Sequence, residues 1–198
     1  NIGIGCYALW NNTFGSNNVS VGFTSLRNNT TGNNNVAMGR AAMCCNQSGC
    51  QNVALGHYGS YMNTSGNNNV SVGACALYNN TASGSVAIGT SALQSNTTGT
   101  GNVAVGHYGL INNTSGGSNT AIGYTALRCN TTGFQNTAIG SNALYANTTG
   151  CLNVAVGANA LVCNQGGGYN VALGMSALYC NVTGSNNIAI GLQALNSN

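Results

Sequence analysis

Asn136-Thr137-Ala138-Ile139-Gly140 and Asn187-Ile188-Ala189-Ile190-Gly191 are two copies of one five-residue string, and the Gly that closes it sets the phase of the whole chain. That Gly recurs at 5, 22, 39, 56, 73, 89, 106, 123, 140, 157, 174 and 191. Every step is 17 residues except the one from Gly73 to Gly89, which is 16. Residues 1–198 therefore read as a single continuous array of twelve copies. The residue before the marker is always apolar, as in Ile122, Ile139 and Val156, and the residue two earlier is always β-branched. Between them stands Ala in nine copies, with Gly3, Ser20 and Ser71 as the others. Apolar, small, apolar with a β-branched bias predicts a strand.

Working outward, Leu stands four residues after the marker in ten of the twelve copies, preceded by Ala, Ser or Gly. This Ala-Leu segment predicts a second short strand. A turn follows, as in Asn130-Thr131-Thr132-Gly133, where Asn and Gly both tolerate left-handed backbone. The Asn that opens the turn is present in every copy from Asn12 to Asn198. A second Asn opens the strand in eleven copies, with Ser85 in its place once. Two Gly and several Asn or Thr per repeat leave no room for a helix. Seventeen residues bury nothing alone, but stacked coils do. The expectation is an all-β fold, a parallel β-solenoid or β-roll of about twelve 17-residue coils with two short strands each. At about 4.8 Å per coil the rod should be roughly 50–60 Å long, with stacked Asn forming amide ladders. Val, Ile and Leu should fill the core. Small residues such as Ala121, Ala126, Ala138 and Ala143 should face away from it as a smooth surface for another chain. Ile139→Asp should then destroy its coil, and Tyr145→Ala should not.

Composition narrows function. The chain has three Arg, no Lys, no Asp and no Glu, so charged residues make up 2% of it. Without carboxylates it lacks the acid–base pairs, His-orienting Asp and oxygen cages that most enzymes and Ca²⁺ or Mg²⁺ sites require. The expectation is no enzyme, no cofactor and no metal. Three separated Arg (Arg27, Arg40, Arg128) are too few for a nucleic-acid footprint, and no apolar run is long enough to insert in a membrane as a helix. The chain starts in mid-pattern at Asn1, which suggests a segment of a longer fibre. Hydrophobic residues at 43% and strict periodicity argue against disorder.

The strings Ser85-Val86-Ala87-Ile88-Gly89, Asn136–Gly140 and Asn187–Gly191 resemble the head repeats of trimeric autotransporter adhesins of the YadA-like family. Similar N-T-A-I-G arrays occur in phage tail-fibre and cell-surface proteins. The resemblance spans the whole chain. It implies a left-handed β-roll, side-by-side packing of three chains, and adhesion to host matrix or cells.

Nine Cys predict an oxidising location, at an extracellular site, a cell surface or a virion fibre. Cys163 and Cys180 share a phase one coil apart, so their Cα atoms should lie about 4.8 Å from each other, within disulfide range. Cys45 and Cys50, across a turn, are a second candidate pair. Cys44, Cys45 and Cys50 lack a His in their coil, and His57 and His107 sit three coils apart, too far to share one zinc. Gly3-Ile4-Gly5-Cys6-Tyr7-Ala8 fits G-x-G-x-x-A only as part of the repeat, with no helix after it. Fourteen N-x-S/T sequons occur, of which Asn29, Asn46, Asn63, Asn96, Asn113, Asn130, Asn147 and Asn181 stand at the turn phase. If these Asn face outward they can carry glycans; if they face inward as a ladder they cannot. Nine Tyr and Trp10 read as surface aromatics scattered over several phases, available for glycan or protein contacts.

The leading functional expectation is a non-enzymatic extracellular structural or adhesive fibre protein that self-associates, as a homotrimer or an end-to-end filament, with host or surface glycans or proteins as further partners. The alternatives are an N-glycosylated structural fibril without an adhesive role and an ice-binding protein with an uncharged Thr/Asn face.

Overall fold

The computed structural model describes residues 1–197; Asn198, the last turn asparagine of the array, lies outside them. Twelve three-residue strands, from β1 (Ile2–Ile4) to β12 (Ile188–Ile190), form one sheet in sequence order, and the described residues contain no helix. Every pairing is parallel and in register by one repeat, so Thr137, Ala138 and Ile139 stand beside Val154, Ala155 and Val156. The chain is a parallel β-solenoid. Each residue type therefore continues as a row along the rod.

The leucine row lies in the core as expected, but the strands are reversed. Ala121, Ala126, Ala138 and Ala143 are all buried, and with Leu127 and Leu144 they fill the interior. Ile122, Ile139 and Ile88 face outward, each 38–40% exposed. A three-residue strand puts either its centre or its two ends inside. Coils that enclose only a narrow interior accept Ala at that position and leave no space for a pair of branched side chains.

The Ala-Leu segment is not a second strand but a run of tight turns. Leu127 has φ 52° and Thr125 has φ 54°, and the equivalents of both recur in every coil. Left-handed backbone costs roughly 1–2 kcal/mol at a residue with a Cβ. It turns successive peptides to opposite ends of the rod. The Thr125 N–H donates to His107 O one coil back (3.0 Å), and the Leu127 N–H donates to Ala143 O one coil on (3.0 Å). Axial hydrogen bonding is thus kept while the chain rounds a corner. The same twist places Ala126 and Leu127, adjacent in sequence, both inside, which a strand forbids.

Two glycine rows are enforced by packing. The marker Gly22 has φ 135°, and a Cβ on it would lie 2.6 Å from Gly39 O in the next coil. A Cβ on Gly116, in the turn, would lie 2.6 Å from Asn113 Oδ1.

Candidate interaction surfaces

The asparagine rows are interior fixtures. In the turn row, Asn113 Nδ2 donates to Asn96 Oδ1 (2.7 Å) and to Gly116 O (2.9 Å), and Asn130 Nδ2 repeats both contacts one coil on. In the strand row, Asn136 Oδ1 accepts from the Asn153 N–H at 3.0 Å while Asn136 Nδ2 donates to Gly150 O at 2.8 Å. The amide ladders expected from sequence are present. Asn29, Asn46, Asn63, Asn96, Asn113, Asn130, Asn147 and Asn181 are at most 1% exposed, and each uses Nδ2 to hold the carbonyl of the residue three positions on. A glycan is attached through that nitrogen, so the folded rod closes all eight sequons.

Threonines of the turn are also engaged. Thr131 Oγ1 donates to Thr148 O (3.0 Å) and Thr114 Oγ1 to Thr131 O (3.1 Å), so these hydroxyls bond along the rod rather than present a free lattice.

The strand face is a different surface. Its two outward rows are apolar from end to end except for Thr120 and Thr137, and they hold no charge. Rows about 7 Å apart repeat at about 4.8 Å across twelve strands, giving a strip roughly 55 Å long. On the order of 500 Å² of contiguous apolar surface is at the upper end of what monomers expose.

All nine cysteine thiols are free. Cys163 and Cys180 are neighbours, and burial together with the Cys180 thiol pushes the Cys163 thiol above its ordinary range. Burial, then the adjacent Cys45, does the same to Cys44. Cys45 and Cys50 make separate contacts: Cys45 Sγ lies 4.0 Å from Met62 Sδ one coil on, whereas Cys50 Sγ accepts from the Asn33 N–H one coil back at 3.3 Å. No group of three His or Cys is placed to hold a metal ion among the described residues. His57 and His107 each lie against the following tyrosine, at ring-centroid distances of 4.1 Å and 3.7 Å.

The aromatic side chains are not scattered. Counted from the marker Gly, eight of nine Tyr, together with Trp10, Phe23 and all three Arg, occupy positions one, two or five of the turn segment that follows the strand. The structure gathers most of them into three groups. Arg27 lies 5.5 Å over Tyr7, which also meets Trp10 and Phe23 edge-on. Arg40 lies 5.8 Å over Tyr58, beside the stacked pair Tyr61 and Tyr78. Arg128 lies 6.0 Å over Tyr108 and 5.6 Å over Tyr145. Sequence reading missed this clustering, although the phase of each residue carried the signal.

No protein-family model, curated protein or solved structure matches the chain.

Proposed function

We propose that the chain is a non-enzymatic structural and adhesive rod that packs side by side with further copies of itself, as a homotrimer, at an extracellular, cell-surface or virion site. The observation that carries the reading is the strand face, with its unbroken aliphatic rows and absence of charge. An apolar strip of this size favours association because each buried Å² contributes about 25 cal/mol. Sheet faces pack by interdigitating the side chains of their facing rows. The partner surface thus shifts from the buried alanines to Val, Ile and Leu of the strands. The absence of side-chain carboxylates supports a non-enzymatic role.

Sedimentation of the intact chain tests the assembly. Particles of three chains, reduced to single chains by Ile88→Ser together with Ile122→Ser, are the expected outcome. Single chains at high concentration, or trimers indifferent to these substitutions, would overturn it.

A further inference from the structure

Tyr108, Tyr124, Thr125, Arg128, Asn142 and Tyr145 line a half-open cleft of ≈ 330 Å³ on the turn flank of the rod, away from the strand face. Its one charge is the guanidinium of Arg128, half-buried between the rings of Tyr108 and Tyr145. Nη1 donates to the Tyr145 hydroxyl at 2.5 Å, and Nε is buried with no acceptor. No Asp or Glu exists anywhere in the sequence to neutralise this cation. Three of the lining side chains are tyrosines, and the exposed His107 ring beside them is stacked on Tyr108 at 3.7 Å and tilted against Tyr124 at 5.8 Å. Two polar side chains complete the lining: the buried Thr125 bonds through Oγ1 to Asn142, whose Nδ2 donates to Asn159 Oδ1 at 3.1 Å.

We propose that this cleft binds an acidic saccharide, with the sugar carboxylate on Arg128, an apolar ring face against Tyr108 or Tyr124, and hydroxyls at the Asn142 amide. Three features select this class together. A single guanidinium in an aromatic setting suits a forked carboxylate, whereas a polyphosphate chain calls for clustered cations. Flat tyrosine faces suit the C–H face of a pyranose. Amide and hydroxyl groups suit its hydroxyls. The arrangement also recurs, because Tyr7, Tyr58 and Tyr108 share one phase, each lies under an Arg, and they are three coils, or about 14 Å, apart. A polysaccharide lying along the flank would meet successive cation–ring pairs and gain from multivalency. The proposal deepens the adhesive part of the function above and rests on it.

Calorimetric titration with a β-1,4-linked glucuronic acid hexamer, against the neutral glucose hexamer of the same linkage, provides the test. The acidic hexamer is expected to bind at least about tenfold more tightly, since a charge-assisted contact is worth that much. Arg128→Gln should remove that advantage, Arg128→Lys should keep only a small part of it because an ammonium lacks the planar fork, and Tyr108→Ala should weaken both hexamers. Tyr169→Ala, outside the cleft, should change nothing. Equal affinity for both hexamers, indifference to Arg128→Gln, or no binding would overturn the proposal. Loss on Arg128→Gln with no effect of Tyr108→Ala would reduce the cleft to a simple anion site and equally overturn it. Circular dichroism confirms that each variant is folded. Sedimentation of the same samples reports the assembly state, so failure of the cleft and failure of the assembly are separately visible.

Discussion

Ser60 Oγ and Ser71 Oγ lie 2.9 Å apart inside the rod, at the place where other coils put a leucine against an alanine. The hydrophobic interior is divided there. One cluster includes Leu26, Met43 and Ala54, and the other begins at Ala76 and Leu77. Ser60 already has the left-handed backbone of the leucine row, with φ 47° against 52° at Leu77. Ser60→Leu combined with Ser71→Ala should join the clusters and add about 2 kcal/mol. Thermal unfolding should shift upward by roughly 4–8 °C.

Ala138 and Ile139 are adjacent and face opposite ways. Ala138→Asp places an unpaired carboxylate in the core and should abolish the sheet signal in circular dichroism. Ile139→Asp should leave that signal intact, contrary to the sequence expectation, and instead break side-by-side assembly in sedimentation.

Asn130 contributes two donated bonds and accepts a third, from Asn147 Nδ2 at 2.8 Å. Asn46 also donates two, but its Oδ1 has no partner. Truncation to Ala should therefore cost more at 130, about 2–4 kcal/mol, than at 46. Chemical denaturation midpoints of the two variants would show the difference.

Cys163 and Cys180 should form a crosslink under mild oxidant, read as loss of two hydrogens on peptide mapping. The raised Cys163 pKa leaves less thiolate near neutral pH, and more as pH climbs towards it. Alkylation of Cys163 at pH 8 should accordingly lag that of the exposed Cys6 and catch up in more alkaline buffer.

Period, strand positions and both asparagine rows were legible in the sequence because they repeat, and repetition in a solenoid is geometry. Which way Ala138 and Ile139 face was not legible, because a three-residue strand has too few alternations to favour one side. The Ala-Leu segment misled for a related reason: propensity does not anticipate a leucine with φ 52°, and only stacking makes it tolerable. The Arg128 cleft lay between these cases. Tyr108, Tyr124, Arg128 and Tyr145 sit at phases that share a flank, but only once the corner of the coil is known.

The 16-residue step has a mechanical consequence. Near it the turn ladder parts, where Asn63 Oδ1 accepts from its own Gly66 N–H and Asn46 Oδ1 has no partner. The strand row is interrupted there, at the unpartnered Ser85 Oγ, and resumes with Asn102 and Asn119. Stretched by its termini, such a rod should yield first between these breaks and separate into two stiffer pieces. In force spectroscopy it would act as a spring with a built-in fuse, and restoring asparagine at position 85 should raise the first rupture force.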